Sequence, residues 1–287
     1  MIKEDPRFKN ASIAVQSNEE RSQFGKLKAI QFGIEHQEPI FYWVLNIQTD
    51  VRGGDKKRAE QWVDIGAIEL EYYFVRGMPM VICCNGKIGH EDWQIANGRK
   101  CIAHSFFHAE QDDFNMTTDV WNSSSAGKII KIDQPEILNV QLLKNDKTLG
   151  EVIPFKRKAT KKPMIAFLKH ASPQTRKIFN ETSLIPSVLV HDVEQGFCFT
   201  YNKLQGATID RLIIVLYDLS NCKLGKLCLH KLYVALSRVR KGKHLAVFNV
   251  SKRELQYLKK LSYSDKLLAW DSNYNNEGRW KTDTTIF

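Results

Sequence analysis

The chain has no phosphate-binding loop of the pattern G-x-x-x-x-G-K-[ST]. Such a loop wraps nucleotide phosphates with backbone amides and reaches them with its lysine. None of the five Gly-Lys pairs is followed by Ser or Thr: Gly25-Lys26, Gly86-Lys87, Gly127-Lys128, Gly225-Lys226 and Gly242-Lys243. No apolar strand ends in Asp-Glu to supply a magnesium carboxylate. We therefore expect that the chain does not hold ATP and magnesium tightly by itself.

Signals for export, membrane insertion and metal binding are also scarce. The N-terminus has no apolar core of a signal peptide, and no apolar run approaches the ~20 residues of a membrane span. The six cysteines lie mostly inside apolar runs, which indicates reduced thiols. Cys222, Cys228, His230 and His244 lack the spacing of a zinc knuckle, so we predict no metal site. We expect an intracellular protein, in the nucleus or another DNA-containing compartment, with no membrane partner.

The composition is that of a globular, basic protein. The chain has 287 residues, of which 43% are apolar, enough for a substantial core. Its net charge is +10 and its pI is near 9.2. This charge favours polyanionic partners, chiefly nucleic acid, although a basic surface alone does not specify one.

The N-terminal part has the pattern of a parallel α/β sheet. Residues 10–18 form a predicted strand that ends in a polar turn, and a helix is predicted over Glu19–Ile34 with Ser17 or Asn18 as its N-cap. A strand that feeds a helix in this way is the βα unit of such a sheet. A further strand is predicted at Pro39–Leu45 and a partly helical segment over Ala59–Tyr73.

The middle of the chain has a different texture. Short strand patterns with turns between them are predicted at Gly77–Asn85, Lys100–Phe107, Lys128–Ile132, Asn139–Leu143 and Glu151–Phe155. This series favours a small antiparallel barrel. The basic run Lys156–Lys162 leaves it, either as a solvated loop or as a phosphate-contacting loop. Strand and helix patterns then return, with a buried strand at Leu212–Leu216 and helices over Leu229–Arg240 and Glu254–Leu268.

Two C-terminal segments carry polar groups beside apolar runs. In Phe199–Asp210, a Thr-x-x-Lys-x-Gln-Gly pattern follows a strand, and a Gln-Gly turn can approach a phosphate closely. In Tyr233–Arg240, Arg238 and Arg240 follow Ser237 on a helix, and a planar guanidinium suits a phosphoryl transition state. Taken singly, the first is more often a plain connection and the second a surface arginine paired with an acid.

Together these segments resemble motifs V and VI of the Pif-type and RecD-like superfamily-one DNA helicases. Gly77–Asn85 is similar to the stretch before the inserted barrel of that family, and Ile13–Asn18 is similar to its motif IV. The resemblance spans residues 10 to about 250. It implies a second RecA-like core: a parallel sheet with a small antiparallel β-barrel inserted. The predicted domains are 1–75 and 164–287 for the core and 76–163 for the insertion.

The resemblance also implies roles for particular residues. Arg238 would be the catalytic arginine finger on the γ-phosphate of ATP, and Gln205 and Gly206 would lie with it at the nucleotide. Thr200, Asn202 and Lys203 would lie near the backbone of single-stranded DNA. ATP and Mg²⁺ would bind only in the complete motor, after a first RecA-like core is supplied in cis or in trans.

The chain departs from the family pattern at two positions. Asn202 stands where the family usually has His, and Leu204 stands where it usually has Ser or Ala. Three hypotheses follow from these observations. The chain is the C-terminal half of an ATP-dependent helicase, a non-catalytic single-stranded nucleic-acid-binding module, or an inactive relic of a helicase.

Overall fold

The computed structural model describes residues 6–48, 70–87, 94–108, 126–144, 148–160, 187–205, 207–216, 228–248 and 252–262, with Leu268 and Ser272. Its helices are α1 (Asn18–His36), α2 (Leu229–Leu236) and α3 (Lys252–Lys259), with short 3₁₀ turns at Pro6–Phe8, Tyr201–Leu204 and Gly242–His244. Within the described ranges, no helix is long and apolar enough to span a lipid bilayer.

The strands, in chain order, are β1 (Ser12–Val15), β2 (Ile40–Val44), β3 (Ile47–Gln48), β4 (Glu71–Phe74), β5 (Pro79–Ile82), β6 (Gly86–Lys87), β7 (Gln94–Ile95), β8 (Lys100–Phe107), β9 (Ile129–Lys131), β10 (Ile137–Leu143), β11 (Leu149–Lys156), β12 (Lys158–Thr160), β13 (Ser187–Val190), β14 (Val193–Gln195), β15 (Cys198–Thr200), β16 (Leu212–Val215) and β17 (Leu245–Phe248). Pairing of these strands gives one parallel sheet and several open sheets.

The parallel sheet has the order β15-β1-β16-β17, so the first strand of the chain lies between strands that follow it by nearly 200 residues. Its central strands are apolar and buried, with Ala14, Val15 and Val215 fully inaccessible. Continuous apolar strands are typical of a sheet covered on both faces. The predicted parallel α/β sheet is confirmed.

Helix α1 has Ser17 as its N-cap, one of the two residues that the sequence offered for this position. Ser17 Oγ accepts a hydrogen bond from the Glu20 amide, and the Glu20 carboxylate accepts one from the Ser17 amide. This reciprocal capping box satisfies free amides of the first turn. The helix is slightly longer than predicted, since it ends at His36.

Helix α1 packs closely against the antiparallel part of the protein through small residues. Gly25, Ala29 and Gly33 recur every fourth position and are buried. A Cβ at Gly33 would lie 2.3 Å from Ile40 Cγ1, and one at Gly25 would lie 2.5 Å from Gln195 Oε1. The missing side chains therefore allow the helix backbone to approach β2 and β14.

The predicted barrel is not what the described strands form. Strands β11-β10-β8-β5-β14 make a five-stranded antiparallel sheet, and no sheet of the described residues closes on itself. Strand β11 lies at one edge, and it contains Pro154, which has no amide to donate. Proline is confined to such edges or to bulges. The opposite edge is β14, which pairs with β5.

Three other sequence predictions are corrected. Of the partly helical segment predicted over Ala59–Tyr73, residues 59–69 lie outside the described residues, and Glu71–Tyr73 belong not to a helix but to β4, which pairs with β2. The aromatic side chains stack across the two strands, with the ring centroids of Trp43 and Tyr72 4.8 Å apart. Lys158–Thr160 is not a loop but forms β12, which pairs with β13. Both C-terminal helices are shorter than predicted, since α2 ends at Leu236 and α3 at Lys259. The predicted domain boundaries stay predictions.

Candidate functional site

The candidate site begins at the carboxyl edge of the parallel sheet. Val15 and Thr200 are the last residues of neighbouring strands β1 and β15, and they are paired in register. The chain therefore leaves both strands at the same edge, into α1 from β1 and into the 3₁₀ turn Tyr201–Leu204 from β15. Ligands of open α/β sheets bind at such edges.

Backbone amides at the start of α1 are already hydrogen-bonded within the protein and are not available to a ligand. The carboxylate of Glu20, which is fully buried, accepts from the amides of Gln16 and Ser17 at 3.0 Å each. The amide of Gln16 Nε2 donates to the Leu216 carbonyl at 2.8 Å and ties the ends of β1 and β16 together. These hydrogen bonds hold the carboxyl edge of the sheet in place. The polar groups that could contact a ligand therefore come from the segment after β15.

The 3₁₀ turn after β15 is held by two buried side chains. Tyr201 and Leu204 point into the core beside Ile209 and Leu212, and the Tyr201 hydroxyl donates to the Val215 carbonyl at 2.8 Å. Side chains three residues apart share one face of a 3₁₀ helix. Leu204 is therefore a core residue, which accounts for a bulky side chain where the resembled family has a small one.

The opposite face of this turn carries the predicted nucleic-acid contacts. Asn202 and Lys203 are exposed, and Thr200 is half-buried at the end of β15. Gln205, the predicted nucleotide contact that follows, is also exposed. Gly206 lies outside the described residues. The turn therefore brings Thr200, Asn202, Lys203 and Gln205 to one short surface segment.

Lys203 is engaged by an acidic residue that sequence reasoning missed. Its ammonium and the guanidinium of Arg21 both contact Glu194 Oε2, so α1, β14 and the 3₁₀ turn meet at one carboxylate. Burial by itself would raise the pKa of Glu194, but the cations Arg21 and Lys203 outweigh it, and the pKa lies below its usual value. Glu194 is therefore ionised, and it neutralises part of the positive charge here.

Arg238 lies against the segment that follows the turn. The Ile209 amide donates to the Arg238 carbonyl at 3.0 Å, and Arg238 Nη1 approaches the Ala207 carbonyl at 3.5 Å. The rest of the guanidinium folds back on its own helix, where Nε donates to the Val234 carbonyl at 3.0 Å and Nη2 to Ser237 Oγ at 2.8 Å. The two segments singled out in the sequence are thus hydrogen-bonded neighbours.

The five-stranded sheet touches the same segment at a second place. Lys100, at the start of β8, donates to the Thr208 carbonyl at 3.2 Å. Together with Glu194 on β14, it connects the antiparallel sheet to both ends of the 201–208 stretch. Neither residue has a sequence signal, because each lies more than a hundred residues from at least one partner: 108 for Lys100 and Thr208, and 173 for Arg21 and Glu194.

A cleft of about 1610 Å³ extends from this segment along α1 and the five-stranded sheet. Its lining includes the cations Arg21, Lys28, Lys100, Lys158 and Lys203, and also the acids Glu35, Glu71, Asp192, Glu194 and Asp210. Three of these cations are paired with acids of the same lining: Arg21 and Lys203 with Glu194, and Lys158 with Asp192.

The predicted phosphate-contacting loop is less available than the sequence suggested. Arg157 donates to the Gln134 carbonyl at 3.2 Å and pairs with Glu136, and Lys158 pairs with Asp192. The part of the basic run at residues 161–162 lies outside the described residues.

The fold is similar to that of solved Pif1 helicases. No protein-family profile matches the chain, and no curated protein sequence matches it. The crystal structure of the Pif1 helicase from Candida albicans superposes with a TM-score of 0.53 at 14% identity, over 92% of this chain and 49% of that one. Bacteroides Pif1 bound to single-stranded DNA gives 0.49 at 15% identity, over 93% and 46%. At this identity the likeness shows the fold alone, and the chain spans about half the length of these helicases.

Proposed function

We propose that the chain is the C-terminal motor half of an ATP-dependent DNA helicase of the Pif/RecD-like type. It binds single-stranded DNA through Thr200, Asn202 and Lys203, and it supplies Arg238 to an ATP site that a first RecA-like core completes. The observation that carries the proposal is the hydrogen bond between the Ile209 amide and the Arg238 carbonyl, which joins the two motif-like segments. The helicase-like fold and the net charge of +10 agree with it.

In this proposal, Arg238 and Gln205 would face one side of the nucleotide. Arg238 offers a guanidinium and Gln205 an amide, both donors suited to phosphate oxygens. The chain offers no phosphate loop, so the β- and γ-phosphates and Mg²⁺ would be held by the other core. ATP bound there supplies the phosphoryl group that is transferred to water.

Arg238 must change partners to act as a finger. Its bonds to Val234 and Ser237 are local and lie near the surface, so they are easily exchanged for a phosphate oxygen. A guanidinium in that place stabilises the charge that develops on the transferred phosphoryl group, which is worth about 10³–10⁵ in rate where it has been measured.

The surface of α2 is suited to contact with another core. Tyr233 and Leu236 lie three residues apart on one face of the helix and are 66% and 42% exposed. Large exposed apolar side chains close together mark interaction sites. Arg238 follows directly on the same helix end, so a core that covers this face would meet the guanidinium.

The test is reconstitution. The chain is fused behind the part of the Candida albicans helicase that it does not cover, and DNA-stimulated ATP hydrolysis is measured. Turnover is expected in the fusion, and Arg238→Ala should reduce it at least about a thousandfold. Arg240→Ala is the matched control, because Arg240 is an exposed arginine two positions away. Equal turnover in the two variants would reject the role of Arg238, and no turnover in any fusion would favour the inactive relic.

A further inference from the structure

The Glu194 carboxylate contacts Lys203, which the proposed function assigns to DNA, and also contacts the neighbouring cation Arg21. Lys203 and Arg21 contact the same oxygen, Oε2, from two different elements. The three side chains are 41%, 23% and 33% exposed for Lys203, Arg21 and Glu194, so solvent and a ligand can reach the cluster. A phosphate that approaches Lys203 therefore meets a carboxylate already in place.

Glu194 and an incoming phosphate would compete for the same two cations. Two cations share one anion, so the cluster keeps a single net positive charge. Arg21 Nε is buried and has no hydrogen-bond partner among the described residues, so the part of the guanidinium that a phosphate can reach is the end that contacts Glu194. An incoming phosphate gains both cations only after the carboxylate moves away or gives up one of its contacts.

Glu194 and its two cations connect the five-stranded sheet to the parallel sheet. Glu194 belongs to β14, the edge strand of the five-stranded sheet, while Lys203 and Arg21 follow strands of the parallel sheet. Displacement of Glu194 by DNA would therefore break a contact between the two sheets. The sheet that Glu194 belongs to also holds the Thr208 carbonyl through Lys100.

We propose that Glu194 is a built-in competitor of single-stranded DNA phosphate for Lys203 and Arg21, and that it sets both the affinity and the salt dependence of binding. This inference rests on the proposed function, because it takes Lys203 as a phosphate contact. Glu194 thus acts on DNA through the two cations and does not itself touch the ligand.

The test measures binding of a fluorescent oligodeoxythymidylate by the full chain over a series of salt concentrations. Glu194→Gln keeps the shape of the side chain and removes its charge. Loss of one like-charge repulsion near 4 Å in water corresponds to about fivefold tighter binding at low salt. Each cation released to phosphate should steepen the slope of log K against log salt by about 0.7, so the slope changes by about 0.7–1.4.

Glu38→Gln is the matched control. Glu38 also loses one negative charge, also from an ion pair with an arginine, Arg76. It follows the C-terminus of α1, about 25 Å along the helix from Arg21. A general effect of net charge would change both variants alike, whereas competition at the cluster changes only Glu194→Gln.

Three outcomes separate the ideas. Tighter and more salt-sensitive binding by Glu194→Gln, reduced in the Glu194→Gln/Lys203→Ala double variant, supports competition. Binding by the wild type that Lys203→Ala weakens but Glu194→Gln leaves unchanged or weakens overturns the inference and keeps the proposed function. Absence of binding in every variant overturns both. If Glu194→Gln does not fold, Glu194→Asp gives the same reading, because its shorter carboxylate reaches the cations less well and should tighten binding by a smaller factor.

Discussion

Leu204 offers the sharpest test of how the candidate site is held in place. Its side chain is fully buried beside Tyr201, Ile209 and Leu212, although it follows two exposed polar residues. Replacement of a buried leucine by alanine costs about 2–5 kcal/mol, and more where the neighbours cannot collapse into the space. Tyr201 is fixed by its bond to the Val215 carbonyl, so collapse is restricted here and we expect about 3 kcal/mol for Leu204→Ala.

The assay is thermal unfolding followed by circular dichroism. A loss of about 3 kcal/mol corresponds to a fall in Tm of about 6–12 °C for a domain of this size class. Asn202→Ala is the matched control, because Asn202 is exposed on the same turn and its loss should change stability by less than about 0.5 kcal/mol. A Leu204→Ala variant as stable as the control would refute the core role of Leu204 and reopen a ligand-facing one.

Two further predictions concern stability. Gly33→Ala should lower the free energy of unfolding by about 1–3 kcal/mol in urea titrations, because its Cβ would lie 2.3 Å from buried Ile40. Gly25→Ala should lower it by less, because the clashing atom is the end of the Gln195 side chain, which can shift at the expense of its hydrogen bond to the Tyr73 carbonyl. Burial lowers the pKa of His191 from its usual 6.5 to about 4, so the unfolded chain binds the extra proton between these values and stability is lost as pH falls from 6.5 towards 4. The loss should reach about 3 kcal/mol, and His191→Gln should abolish that share of the pH dependence.

The sequence predicted those helices and strands that are specified by residues close together in the chain. The N-cap Ser17 was one of the two residues predicted for the start of α1, and its capping box with Glu20 spans only four residues. The apolar run of β16 predicted a strand covered on both faces, and it lies in the interior of the parallel sheet. These features depend on hydrogen bonds and burial that a short segment specifies by itself.

The described strands form an open sheet and not the predicted barrel, because pairing at the edges of that sheet involves residues far apart in the sequence. Strand β14 begins more than thirty residues after β11 and pairs with β5, and it thereby forms one edge of the five-stranded sheet. Pro154 in β11 was a usable signal for the other edge. The partly helical segment predicted over Ala59–Tyr73 is wrong in the part that the structure describes, because the aromatic residues of β4 pair with β2 and pack better on a pleated surface.

The sequence predicted which segments form the candidate site but not which of their side chains are buried or paired. Arg238 and the Thr200–Gln205 segment were singled out from their residue types, and the structure brings Arg238 against Ala207 and Ile209. The contact between Lys203 and Glu194 was not predictable, because a single acidic residue in a short strand carries no pattern. The burial of Leu204 follows from a 3₁₀ turn that the sequence did not specify.

The proposed DNA path is tested most directly by single-stranded DNA binding of the wild type and Lys203→Ala, measured by fluorescence anisotropy at low and moderate salt. Lys128→Ala serves as control, since Lys128 is an exposed lysine that is not among the residues lining the cleft. The account predicts salt-sensitive binding by the wild type and by Lys128→Ala, and weaker binding by Lys203→Ala with a slope shallower by about 0.7. Wild-type binding that is absent at low salt, or that Lys203→Ala leaves unchanged, would contradict a DNA path across this turn.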